Sequence, residues 1–194
     1  MLRKQAKTLS SAQIKTALTY LSTTRYPTRN RAIFLLSLRA GLRAKEIAAL
    51  TWSMVTDAEG QLGETIRLAD AASKGTSGGV IPMAKELRSA LDQLLKTAGP
   101  AQPSGRIIRS ERQDRTSAQV IVNMFDGWFR SLGYEGCSSH SGRRTFITMS
   151  ARHIGRFGGS LRDVQTLARH RSLATTQRYI EIDTKAMKKV VDGW

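Results

Sequence analysis

The chain has 194 residues, enough for one domain with a sizeable core. Its 31 Lys and Arg outweigh 15 Asp and Glu, a net charge of +16, and so large an excess on a small chain points to a polyanionic partner, usually nucleic acid. The single cysteine, Cys137, excludes an internal disulfide and a cysteine-rich zinc site, no apolar run reaches the ~18 residues that span a bilayer, and the basic start Met1–Lys7 lacks the apolar centre of a secretory signal, so a cytoplasmic protein with no membrane partner is expected.

Residues 1–9 read as a basic lead-in. Ser10 or Ser11 then caps a helix with Ile14, Ala17, Leu18 and Leu21 at helical spacing. Tyr26 to Asn30 reads as a break, and a second helix is predicted over Arg31–Arg39, with Ala32, Leu35, Leu36 and Leu38 inward and Gly41 as its terminator. A short third helix is predicted from about Ala44 to Leu50. The period then changes. Trp52–Thr56, Glu64–Ala69 and Gly79–Pro82 read as three short strands, joined by the turn Asp57–Gly60 and the glycine-rich turn Ser73–Gly79.

The rest reads as helical. Helices are predicted over Ala84 to about Thr97, over Ser117–Leu132 with Val120, Ile121, Met124, Phe125 and Phe129, and over Ser141–His153. Ala98–Gly105 is the Pro-rich loop, Gly133 stops one helix, and Gly155–Gly159 breaks another. Ser160 caps a helix from Leu161 to about Ala168, and a final helix runs from Thr184 towards Trp194. The expected class is mainly α with a small three-stranded antiparallel sheet, an α+β domain.

Four stretches concentrate polar residues beside breaks. In Gly41-Leu-Arg-Ala-Lys-Glu-Ile-Ala-Ala-Leu-Thr-Trp52, Arg43 and Glu46 are three apart and can share a helix face; alone they read as a surface ion pair. In Ser139-His-Ser-Gly-Arg-Arg-Thr-Phe146, His140 and Arg143 start a helix, where partial positive charge suits an anion; alone they read as a solvated helix end. Lys74 in its glycine-rich turn reads equally as an exposed hairpin lysine. Leu167-Ala-Arg-His-Arg-Ser-Leu-Ala-Thr-Thr-Gln-Arg-Tyr-Ile180 packs His170, three arginines and Tyr179 into one polar window. His140, His153 and His170 lack the close spacings of a zinc site, no paired carboxylates suggest a magnesium cradle, and Gly75-Thr-Ser-Gly-Gly79 lacks the Lys-Ser/Thr of a phosphate-binding loop. A nucleic-acid enzyme built on this chain is therefore expected to use neither metal nor ATP, and no cofactor is expected.

In order along the chain, these pieces resemble the catalytic domain of tyrosine recombinases, the phage-integrase type of site-specific DNA recombinase. Gly41–Trp52 resembles the first arginine box, Lys74 falls where the family keeps its lysine, His140-Ser-Gly-Arg143 resembles the His-x-x-Arg box, and Leu167–His170 with Thr175–Tyr179 resembles the last box, nine positions separating histidine and tyrosine. The resemblance covers about residues 8–185. It departs at Ser139, where Pro is usual, at Gly142, where Leu is usual, and at Arg169, where Gly is usual. It is to compact members such as the fimbrial phase-variation invertases, with residues 10–183 as the catalytic domain and no separate N-terminal core-binding domain expected.

The resemblance implies cutting and rejoining of DNA through a 3′-phosphotyrosyl link. Arg43, Arg143 and His170 would hold the phosphate oxygens, which suits the fork-shaped, permanently charged guanidinium. Tyr179 would be the nucleophile, His140 its proton acceptor, Lys74 the acid for the leaving 5′ oxygen, and Glu46 a support for the arginines. Ionising a free tyrosine at pH 7 costs roughly 4 kcal/mol, so a cationic pocket is what such a nucleophile requires. The implied partners are double-stranded DNA with inverted-repeat recombination sites, further copies of the chain in a homotetramer, and accessory DNA-bending proteins in the nucleoid. The helix at 184–194 would dock on a neighbouring protomer or pack within its own. A type IB topoisomerase-like enzyme that nicks and reseals, and a DNA-binding protein without catalysis on the same fold, are the alternatives.

Overall fold

Pro27 opens a helix rather than breaking one. In a computed structural model, which describes residues 5–73, 78–98, 103–111, 113–180 and 191–192, α1 runs Ser11–Ser22 and α2 runs Pro27–Ala40. The break expected at 26–30 is thus the first turn of α2. Proline at the first helical position has no N–H to leave unpaired, and its fixed φ suits the helix. Upstream, Ser10 and Gln13 cap α1 reciprocally: the Ser10 hydroxyl accepts from Gln13 N at 3.2 Å and the Gln13 side chain accepts from Ser10 N at 3.0 Å. Gly41 ends α2 at φ 62°, and α3 follows over Ala44–Ala49.

Next come strands β1, Thr65–Leu68, and β2, Gly79–Pro82, then α4, Lys85–Ala98, α5, Ala118–Ser131, and α6, Ser141–His153. After α6, a 3-10 turn at Ile154–Phe157 ends at Gly158, φ 73°, where the break was expected. Last come α7, Leu161–Ala168, and α8, Leu173–Gln177. The helix expected at 184–194 lies outside the described residues apart from Val191 and Asp192.

Helix α2 is the centre of the molecule. Ile33, Phe34, Leu35 and Leu36 are all buried, so every side of it is covered, not only the stripe expected from periodicity. Helices α1, α4 and α6 pack around it, α3 touches its C-terminal end, and α5 covers α3. Fully burying each such side chain stabilises the fold by about 1.5–3 kcal/mol.

The described sheet has two strands rather than the expected three. β1 and β2 pair antiparallel, Thr65 opposite Pro82 and Leu68 opposite Gly79. Trp52–Met54, expected as a strand, is a 3-10 turn. Trp52 and Val55 are both buried three positions apart, a helical rather than alternating pattern, and Val55 N donates to Trp52 O at 2.9 Å. Only isolated bridges remain there, Thr51 to Arg106 and Thr56 to Leu62.

A second, smaller apolar cluster stands apart from the main core. Ile147 of α6 and Val164 and Ala168 of α7 form it, and the Tyr179 ring packs against it. The layer of α6, α7 and α8 thus carries the last two polar boxes on one platform, laid against the end of α2.

Candidate active site

Arg43 is the N-cap residue of α3 and Glu46 lies one turn in. Glu46 is only 1% exposed, so this is no solvated surface pair. Its Oε1 accepts from Arg43 Nη1 at 2.8 Å, and its Oε2 accepts from Arg43 N at 2.8 Å and from Arg169 Nη2 at 2.6 Å. A carboxylate taken out of water needs such pairing, and here it is clamped between two guanidiniums.

Arg143, on the first turn of α6, is buried and reaches both neighbouring segments. Its Nη1 donates to Gly41 O and its Nη2 to Ala168 O at 2.5 Å. It therefore ties the end of α2 and the end of α7 to α6. Burial, then Arg43, lower its pKa to about 10, with Glu46 opposing, so it stays charged at neutral pH. The close approach of α6 to α2 depends on Gly142: a Cβ there would lie 2.5 Å from Ser37 Oγ and 3.0 Å from Ser37 Cβ. The departure from the family pattern at Gly142 thus has a packing reason.

Arg169, another of the departures, is the C-cap of α7 at φ 54°, the one non-glycine residue with positive φ among those described. The left-handed region costs a residue with a Cβ about 1–2 kcal/mol. From that position the chain turns His170 into the interior. His170 Nδ1 lies 2.9 Å from the Thr176 hydroxyl of α8. With Thr176 donating to Nδ1, Nε2 carries the proton and is the atom left to donate to an anion. Burial, then Arg143, Arg43 and Arg169, lower the His170 pKa to about 4, so the ring is neutral at pH 7.

Tyr179 follows α8. Its ring stacks on His170, centroids 5.5 Å apart at 27°. Thr148 of α6 reaches its backbone, Oγ1 donating to Tyr179 O at 3.3 Å. The polar window therefore holds a short helix, Leu173–Gln177, capped by Ser172, which accepts from Thr175 N at 3.3 Å.

The structure therefore brings Arg43, Glu46, Arg143, His170 and Tyr179 together, and adds Arg169, Thr176 and Thr148. Sequence reasoning noticed Arg169 only as a departure and missed both threonines. A second threonine beside the tyrosine box was a weak signal for Thr176, and nothing marked Thr148. His140 stands at the start of α6 with an exposed ring and no side-chain hydrogen bond to the cluster. Lys74 lies outside the described residues. The residues flanking it are anchored: Lys45 Nζ donates to Ser73 O at 3.1 Å, and Gly78 N donates to Asp70 Oδ1 at 2.8 Å. Among the described residues no group of three His, Cys, Asp or Glu side chains could hold a metal, and no helix is long and apolar enough to cross a membrane.

The fold that carries these residues is that of tyrosine recombinase catalytic domains. The crystal structure of XerA recombinase matches this fold with a TM-score of 0.73 at 24% identity, covering 100% of this chain and 65% of that one. The Tn1549 transposon integrase, solved in complex with a circular intermediate DNA, matches at 0.79 and 17%, covering 100% and 67%. The chain belongs to the phage integrase family, whose model matches residues 7–186. The tyrosine recombinase XerC of Shewanella amazonensis is 32% identical over 168 residues, 85% of this chain and 53% of its own. The tyrosine recombinase XerA of Pyrococcus horikoshii is 28% identical over 165 residues, 84% of this chain and 54% of its own. The chain spans about half the length of the curated relatives it matches.

Proposed function

We propose that the protein is a site-specific DNA recombinase that cuts and rejoins strands through a 3′-phosphotyrosyl intermediate. The observation that carries this reading is that Arg43, Arg143, His170 and Tyr179 are near neighbours, Arg43 and Arg143 both acting on the His170 ring and Tyr179 stacked on it, although 136 positions separate the first from the last. Related folds have been solved bound to DNA, among them the XerH site-specific recombinase on its difH substrate.

Arg43 and Arg143 bind the non-bridging oxygens of the scissile phosphate, and His170 Nε2 adds a neutral donor. Glu46 keeps Arg43 in place, as its two bonds to that residue support. The Tyr179 hydroxyl attacks phosphorus, forming the phosphotyrosyl bond as the bond to the 5′ oxygen breaks. His140 accepts the tyrosine proton, and Lys74 gives one to the departing 5′ oxygen. A 5′ hydroxyl from a second strand then attacks the phosphotyrosine and releases Tyr179. One ester is exchanged for another at each step, so bond energy is kept and no metal or ATP enters. Charge stabilisation is the main contribution here, and a lost donor costs ~10²–10³ in rate.

The partners in this reading are duplex DNA with inverted-repeat sites and further copies of the chain in a tetramer, with DNA-bending proteins assisting, in the cytoplasm on the nucleoid. Residues 10–183 act as the catalytic domain and 184–194 as a helix that docks on a neighbouring protomer. The test is a pool of nicked duplexes with randomised arms, screened for covalent capture. A covalent protein–DNA band that disappears in Tyr179→Phe is expected, with strand exchange between two marked duplexes. Nicking and resealing without exchange would leave a topoisomerase-like enzyme, and DNA binding with no adduct would leave a binding protein.

A further inference from the structure

Arg169 is costly for stability in three ways. It holds a left-handed backbone that glycine would adopt freely, its side chain is 4% exposed, and its buried Nε and Nη1 have no hydrogen-bond partner. Packing alone gives no reason for an arginine here. What it supplies is charge and a bridge. Among the described side chains that meet at Glu46, Arg43 and Arg143 against the carboxylate leave one net positive charge, and Arg169 makes it two. A phosphodiester enters with one negative charge, and its pentacoordinate transition state carries a second. The Arg169 stem also passes beside the first residue of β2: a Cβ on Gly79 would lie 3.4 Å from Arg169 Cδ and 3.7 Å from Cγ. One side chain thus joins the end of α7, the carboxylate that holds Arg43, and the strand leading out of the Lys74 turn.

We propose that Arg169 is a positioning residue of strand cleavage, clamping Glu46 so that Arg43 is held on the phosphate and adding a positive charge against the negative one the transition state gains. The proposal rests on the recombinase reading. It differs from a structural role in what it stabilises: a spacer at this corner serves the folded protein, whereas this one serves the phosphate at the cost of the fold.

Duplexes captured covalently by the wild-type chain from the randomised pool serve as substrate. Arg169→Gly relieves the backbone, and Arg169→Met keeps the stem without the charge. Both are expected to fold, to bind the captured duplex within about threefold of wild type, and to form the adduct about 10–100-fold more slowly at saturating DNA. Arg169→Lys is expected to restore part of the rate, since one ammonium bond to Glu46 survives. In the free protein the His170 imidazole, which faces Arg43, Arg143, Arg169, Thr176 and Tyr179, should titrate at higher pH in the Gly and Met variants than in wild type, read by NMR. Wild-type rates in both variants overturn the proposal. So does slow cleavage that Lys leaves unrepaired with an unmoved His170 titration, which marks a spacer. If the wild-type chain binds DNA and captures none of the pool, the recombinase reading itself falls, and the positioning role with it.

Discussion

The Thr176 hydroxyl lies 2.9 Å from His170 Nδ1, and both residues are buried. The pair connects α8, which delivers Tyr179, to the imidazole on which the Tyr179 ring stacks. A single buried hydroxyl thereby orients the ring and, when it donates to Nδ1, leaves the ring proton on Nε2. Thr176→Val keeps the shape and removes the bond. It is expected to cost about 1 kcal/mol in stability, measured by urea unfolding. Adduct formation should slow by about tenfold, less than the ~10²–10³ expected for removing the imidazole donor itself. An unchanged rate would show that the ring is held by packing alone.

His170 also makes the fold sensitive to acid. Its pKa is about 4 in the folded chain, lowered by burial and then by Arg143, Arg43 and Arg169, against about 6.5 for the free side chain. The unfolded chain therefore binds this proton more readily. The neutral ring's contribution is complete above about pH 6.5 and is lost as pH falls towards 4. Urea unfolding at pH 7 and pH 4.5 should show a marked loss in the wild-type chain and a smaller one in His170→Gln. Equal losses in both proteins would place the acid sensitivity elsewhere.

Much of this was legible because the signals were local. The Gly41 stop, the Ser160 cap and the apolar spacing of α5 each follow from a few neighbouring residues. The candidate site residues were picked out by their resemblance to the recombinase boxes, since alone they read as a surface ion pair, a solvated helix end and an exposed lysine. What stayed hidden depends on contacts distant in the chain. Trp52 and Val55 fill the core as a turn, with residues 103–107 alongside and paired with the backbone of Leu50, Trp52 and Ser53. Glu46 is buried rather than solvated because Arg169, 123 positions away, closes over it. No window of sequence contains either pairing.

In the recombinase reading, Arg143 serves structure and chemistry with the same guanidinium. Donating to Gly41 O and Ala168 O orients the fork, which leaves further N–H groups for an anion. Lysine keeps the charge but cannot reach both carbonyls and a phosphate oxygen. Arg143→Lys should therefore slow adduct formation by ~10²–10³. It should also destabilise the fold by about 1–3 kcal/mol by leaving a buried carbonyl unpaired. Calorimetric unfolding and single-turnover cleavage, measured on the same preparation, check both. A slow enzyme of full stability would show that the two carbonyl bonds do not hold α6 to its neighbours.

Gly142 sets how closely α6 approaches α2, and so where Arg143, the next residue, can stand. Alanine at 142 gains up to about 1 kcal/mol of helix propensity. Its Cβ, however, meets Ser37 Oγ at 2.5 Å, Ser37 Cβ at 3.0 Å and Leu38 N at 3.3 Å. The hydroxyl can turn away, but the Cβ and the backbone nitrogen belong to the helix at the centre of the core. The helices must part by a few tenths of an ångström, which makes Gly142→Ala a net loss of about 1–3 kcal/mol. The same shift carries Arg143 off the Gly41 carbonyl, so cleavage should slow as stability falls. Ser37→Gly removes the two nearest of these atoms, including a hydroxyl that is buried without a hydrogen-bond partner, and leaves Leu38 N. On its own it costs about 1 kcal/mol of helix propensity. In the double variant the two changes should offset one another by about 1–2 kcal/mol, and part of the cleavage rate should return. Additive effects across the cycle would mean that the contact between Gly142 and Ser37 does not govern the spacing of the two helices.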